Sequence, residues 1–174
     1  MDDLITWEIP KIDEKEVIEK LKGTTLRIDQ TIFKMQTAVN RVAIKKAKQN
    51  FQARFSTKPQ NNYVLKGDLK RIYSNFKSMK NKKVKGGTQI KNLSYYAKFL
   101  EFGANIEAKK RKYLTFKING EWKKVESVSL PAKPFLGPAV KEVWNSSEAK
   151  KIQEQVLQKV LDAYWAKQSK ENKK

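Results

Sequence analysis

The apolar positions change period along the chain, and the changes divide it into elements. Ile5, Trp7 and Ile9 alternate before Pro10, which predicts a short extended arm over residues 1–12 whose apolar side chains need a partner surface. Asp13 then stands as an N-cap with Glu16 three residues on. Ile12 is placed to staple against Val17. The short helix this starts carries Val17, Ile18 and Leu21 as its stripe and ends at Gly23, which takes a left-handed C′ conformation cheaply. Thr24 or Thr25 can cap a second, longer helix running to about Phe55. In it Ile28, Ile32, Met35, Val39 and Val42 recur at spacings of four and three, and Ala43, Ala47, Phe51 and Phe55 continue the apolar side. The seam is too short for an independent coiled coil, so the helix should lie across a sheet or a sister helix.

Periodicity lapses around Pro59, which predicts a loop over 56–62. Leu69 to Phe76 is a short segment of undecided type. Met79 to Gly87 is a Lys run ending in Gly86-Gly87, read as a mobile basic loop between two strands. Asn92 to Gly103 has the spacing of a short helix stopped by Gly103. The clearest local signal is Leu114 to Ile118, Asn119-Gly120, Glu121 to Val125. Asn-Gly favours the tight turn whose twist matches paired strands, setting Leu114 opposite Val125 and Phe116 opposite Lys123. The side bearing Leu114, Phe116, Ile118 and Val125 should face the long helix. Pro131, Pro134 and Pro138 make 130–138 a fixed extended connection, with Pro138 as first residue of a last helix. That helix carries Val140, Val143, Trp144, Ile152, Val156, Leu157, Val160, Leu161 and Tyr164, with a break signalled at Asn145–Ser147. Residues 167–174 read as a polar, frayed tail. The sum is an α+β domain over 13–166, in which a long N-terminal helix and a C-terminal helix pack on a small antiparallel sheet with a β-hairpin.

Composition then narrows the chemistry. The 174 residues contain no Cys and no His, which removes thiolate and imidazole nucleophiles, bases and metal ligands together. Glu101, Glu107, Glu121 and Glu126 show no paired arrangement for acid–base work, and no phosphate-cradling glycine loop is present. The expectation is a protein without catalytic activity, cofactor, metal or small-molecule ligand. No stretch approaches the roughly 18 apolar residues of a membrane helix, so a soluble, unsecreted protein is expected.

The net charge of +20 is unevenly placed. Residues 1–19 hold seven acidic residues against two lysines, a net of −5, and the remaining 36 basic and 11 acidic residues give +25. An acidic end on a basic body invites head-to-tail contact between copies or a polyanionic partner. Lys82, Lys83, Lys85, Lys109, Lys110 and Arg111 are the candidates for contact with duplex DNA or an acidic partner, against the plainer reading of a solvated Lys-rich surface. Ile5, Trp7 and Ile9 are candidates for a subunit interface. Glu101, set among Phe99, Leu100 and Phe102, is either a buried or interfacial charge pairing with Arg71 or a neighbour's Lys, or a solvent-facing carboxylate.

One pair of motifs carries a family resemblance. Tyr95-Tyr96-Ala-Lys-Phe-Leu-Glu-Phe-Gly103, followed about thirty residues later by Pro131-Ala-Lys-Pro-Phe-Leu-Gly-Pro-Ala139, resembles the tail-component family of tailed bacteriophages, which includes neck, tail-completion and minor tail protein Z-like members. The long N-terminal helix and Gly67-Asp-Leu-Lys-Arg-Ile72 match that family's order of parts, over roughly residues 14–165. Ile72 stands where the family usually has Ser, and Thr57-Lys-Pro59 departs from its usual lead-in. The resemblance implies a structural virion protein, assembled in the host bacterial cytoplasm. Its copies would form a ring, commonly a hexamer, around the DNA channel at the head–tail joint, against connector, tail-terminator or tail-tube proteins. It also implies that Phe102, Gly103, Pro134, Phe135 and Leu136 shape the core. The competing expectations are a free, non-specific DNA-binding protein, supported by charge, and a regulatory module that docks a partner helix through its seam.

Overall fold

The computed structural model describes residues 5–55, 66–109, 112–118 and 120–171. The loop expected at 56–62, and Lys110 and Arg111, fall outside them. Seven strands and six helices are described: β1 (Ile5–Glu8), α1 (Glu14–Lys20), α2 (Ile28–Phe55), α3 (Lys66–Ser74), β2 (Phe76–Lys80), β3 (Thr88–Asn92), α4 (Ala97–Phe102), β4 (Ala104–Glu107), β5 (Leu114–Ile118), β6 (Glu121–Val125), β7 (Ser127–Leu130), α5 (Leu136–Trp144) and α6 (Ser147–Glu171). The fold is α+β, as the pattern predicts; α2 lies on the small antiparallel sheet, while the C-terminal helix α6 packs on α2 rather than on the sheet. The segment of undecided type, Leu69 to Phe76, is helix α3 followed by the start of β2.

The Asp13 cap forms, its carboxylate accepting the Lys15 N–H at 2.9 Å. Ile12 and Val17 are buried together with Leu21, Ile32, Met35 and Leu157, so α1 is pinned to the first half of α2 and to α6. Gly23 takes φ +77°, the left-handed value its position requires. Helix α2 begins later than a Thr24 or Thr25 cap would put it. Thr24 instead holds a turn, its hydroxyl donating to the Leu21 carbonyl at 2.8 Å and accepting the Leu26 N–H at 3.3 Å.

The three-stranded sheet has the order β1-β3-β2, antiparallel throughout. Its register sets Ile5, Asn92 and Phe76 in one row, and Trp7, Ile90 and Ser78 in the next. These rows face α2, and Ile5, Ile90 and Phe76 are buried with Val39, Ala43, Ala47 and Phe51. The segment predicted as an arm is therefore an edge strand of the chain's own sheet. Alternation identifies a strand correctly, but whether its apolar face meets a neighbour or the same chain depends on β3, about eighty residues away.

Between β2 and β3 the basic run is an ordered turn rather than a mobile loop. Asn81 donates to Gly87 O at 2.9 Å, its side chain accepts the Lys83 N–H at 3.0 Å, and Gly87 donates to Val84 O at 3.0 Å. Gly86, at φ +71°, presses against the backbone of Asp29, where a Cβ would lie 3.0 Å from the Asp29 carbonyl oxygen. Asp29 is itself held below the ordinary carboxylate range, first by its hydrogen bond from Arg27.

A buried polar network fixes α2 over the sheet. The Asn40 amide donates to Thr88 Oγ1 at 2.8 Å and Ser78 Oγ at 3.0 Å, Thr88 donates to Gln36 Oε1 at 3.1 Å, and Trp144 Nε1 donates to Asn40 Oδ1 at 3.3 Å. One side chain thus ties α2, both strands of the hairpin and α5. Buried polar atoms left without partners are costly, so this network admits one register only. Asn40→Ala should lower stability by about 2–3 kcal/mol in urea unfolding, because it leaves the Trp144 indole N–H without an acceptor and takes the amide donor from the Ser78 and Thr88 hydroxyls; a change under about 0.5 kcal/mol would show that the network is dispensable.

Candidate interaction arm and its anchor

Four further strands form two two-stranded antiparallel ladders, β4 with β7 and β5 with β6, which share the short link between β6 and β7. β4 pairs with β7, from Ala104–Leu130 to Glu107–Ser127, and β5 pairs with β6, from Leu114–Val125 to Ile118–Glu121. Only Glu126 separates β6 from β7, and the Ala108 N–H bonds to its carbonyl at 3.3 Å, whereas residues 108–113 separate β4 from β5. At about 3.4 Å per residue, Glu121 to Leu130 has a contour on the order of 30 Å. The register is the one Asn119-Gly120 predicts, and Gly120 takes φ +90°; Asn119 itself lies outside the described residues.

The arm's direction differs from the expectation. The alternation predicts that Leu114, Phe116 and Val125 face α2, yet they are only half-buried, and no described residue of β5 or β6 is fully buried. Alternation shows that a strand has an apolar side, but not what that side meets. Trp122, on the opposite side, is 70% exposed.

The base of the arm is anchored by Glu101. Its side chain is 2% exposed and accepts three backbone N–H groups: Phe135 at 2.8 Å, Leu136 at 2.9 Å and Gly137 at 2.7 Å. These are the unpaired donors at the start of α5, and the carboxylate also complements the positive end of the helix dipole. Glu101 thus satisfies backbone N–H groups inside its own chain instead of pairing with Arg71, which is exposed. The cap also explains why α5 starts at Leu136 and not at Pro138. Pro138 falls in the first turn, where its missing N–H is no loss. A second tie runs beside the first, from the Lys133 N–H to the Leu100 carbonyl at 2.7 Å.

The two sequence motifs meet at this point. Phe135 and Leu136 are fully buried, and Phe135 is ringed edge-on by Phe51 at 5.1 Å and Phe76 at 5.7 Å between centroids. Pro134 is half-buried beside them. Gly103, at φ +75°, ends α4, and a Cβ there would come 2.7 Å from the Leu130 carbonyl oxygen, so the arm's two strands start in close contact. Phe102 departs from the expectation: it is 62% exposed and shapes no core, stacking instead on Trp7 with centroids 6.4 Å apart. Trp7 in turn leans over Gly137, where any side chain would collide with its indole. Of the expected interface residues, Ile5 is 2% exposed, and Trp7 and Ile9 pack half-buried on the same core.

Lys82, Lys83 and Lys85 are exposed on the β2–β3 turn, and Lys109 is exposed just after β4. Lys110 and Arg111 are outside the described residues. Among the described residues, no group of acidic side chains could hold a metal ion, and no helix is long and apolar enough to cross a membrane. No protein family, curated protein or solved structure matches the chain.

The anchor makes a direct prediction. Glu101→Ala, which strands three N–H groups, should cost about 3–5 kcal/mol, and Glu101→Gln, which keeps the volume but turns an amide donor toward them, about 1–3 kcal/mol. Chemical unfolding measures both. Equal, small losses would mean that water replaces the carboxylate at no cost.

Proposed function

We propose that this chain is a structural subunit of a tailed phage or phage-like particle, forming a ring around the DNA channel at the head–tail joint. The observation that carries the reading is the arm. A two-stranded hairpin is marginal in water by itself, and this one holds Leu114, Phe116 and Val125 only half-buried on one side. Such a face is completed by a neighbour. In a head-to-tail ring each arm lies on the next copy, a heterologous contact that closes by rotation.

Two further features support the reading. The Glu101-Phe102-Gly103 and Pro134-Phe135-Leu136 segments, which carry the resemblance to phage tail components, are joined by the Glu101 cap at the arm's base. The charge of +20 suits a subunit set around packaged DNA, and the exposed acids of α1, Glu14, Glu16 and Glu19, offer basic surfaces of a sister copy a complement. The role is scaffolding rather than catalysis, and its other partners are the adjoining connector, tail-terminator or tail-tube proteins of the virion.

Mass photometry of the full chain tests this. The expected result is a discrete closed oligomer, commonly sixfold, that dissociates at least about tenfold more readily in Leu114→Ser/Phe116→Ser, a weakening of about 1.4 kcal/mol or more at each subunit interface. A chain that stays monomeric at all concentrations, or assembles equally well with the double substitution, would contradict the proposal.

A further inference from the structure

The ladder register sorts the side chains at the end of the arm onto two faces. Residues directly opposite each other in an antiparallel pair project to the same side. Leu114 with Val125 and Phe116 with Lys123 therefore share one face, and Thr115 with Lys124 and Lys117 with Trp122 share the other. The first face is apolar, and its lysine is already engaged, Lys123 Nζ lying 2.9 Å from Glu121 Oε2. The second face is different in kind. Thr115, Lys117, Trp122 and Lys124 are all exposed, no carboxylate lies among them on β5 or β6, and neither lysine is in a salt bridge with a described residue.

We propose that this second face binds the sugar–phosphate backbone of duplex DNA. A two-stranded β-ribbon is one of the few elements that fit a DNA groove. Lys117 and Lys124 are diagonal neighbours about 7–8 Å apart across the ladder, and their flexible stems reach separate phosphates on either side of the ribbon. The Thr115 hydroxyl donates to a phosphate oxygen between them, and the Trp122 indole lies against deoxyribose at the groove wall. Contacts of this kind to phosphate and sugar carry no sequence information, so the binding is indifferent to sequence. Within β5 and β6 Trp122 is the one aromatic on this face, which favours duplex over single-stranded DNA, whose binding needs successive stacking platforms.

This occupant of the arm's outer face rests on the ring proposal, in which the inner face meets the next copy, and its test is separable. The full chain is titrated against a fluorescein-labelled duplex of random sequence, and affinity is read by anisotropy between about 50 and 200 mM salt. Lys117→Ala/Lys124→Ala should make the slope of log K against log salt shallower by about 2, near 0.9 for each phosphate left without its lysine. Lys150→Ala/Lys151→Ala removes the same charge from exposed positions of α6 and should leave the slope unchanged. Trp122→Ala should lower affinity several-fold without changing the slope. Equal losses from the two double variants, an unchanged slope in the arm variant, or tighter binding to single-stranded DNA of the same length would overturn the inference. Rings that form while the arm variant binds DNA normally overturn this inference alone; arm-dependent DNA binding by a chain that never assembles overturns the ring reading alone.

Discussion

A buried carboxylate holding the start of a helix is the constraint on which this structure turns. Removing Glu101 from water is expensive, and the expense is offset only because three N–H groups of Phe135, Leu136 and Gly137 meet it at hydrogen-bonding distance. The bond set has consequences in both directions along the chain. Forward, it fixes where α5 begins, and so places Phe135 at the centre of an aromatic cluster with Phe51, Phe55 and Phe76. Backward, it fixes the last turn of α4, from which Gly103 launches the arm. Core and arm are thus referred to a single point, and a load on the arm is passed to the body through α4 and α5 rather than through a loose linker.

The second fixed point is Asn40. The apolar seam of α2 would slide over a featureless sheet with little penalty, since hydrophobic contact has no direction. Bonds to Ser78, Thr88 and Trp144 remove that freedom. With α2 and α5 both indexed to the sheet, the body forms a stiff platform.

What is legible in the sequence is local. Asn119-Gly120 between alternating strands specifies the hairpin's register residue by residue, since turn chemistry and a period of two leave one pairing. Asp13, Gly23 and the break at Asn145–Ser146, where the Ser146 hydroxyl caps Ala149, can likewise be read from neighbours a few positions away. The departures share a cause. The start of α5 is displaced by a cap thirty-four residues upstream, Ile5 and Trp7 find their partner surface on β3, and the Lys run at 81–87 is ordered by Asp29 and its own backbone. Asn40 gives no signal, because an Asn beside the heptad seam reads as an ordinary polar position until its partners on other elements are known. Phe102 belongs with core residues by its company in the motif, yet it points outward onto Trp7. The candidate site follows the same rule: Glu101 stands out by its apolar neighbours, whereas the division of the arm into an apolar and a basic face needs the register and the arm's direction together.

The arm's apolar face has the most at stake, because a chain that needed no neighbour would have no use for it. The chain lacks cysteine, and its Phe116 can be replaced by a photo-crosslinking benzoylphenylalanine of similar shape. Irradiating the concentrated full-length protein and reading the product by denaturing gel and peptide mass tests the contact itself. Covalent multimers are expected, with the crosslink landing on the body of another copy. Exclusively intramolecular crosslinks, with position 116 joined to its own α2, would contradict this and return the hairpin to the core of a single chain.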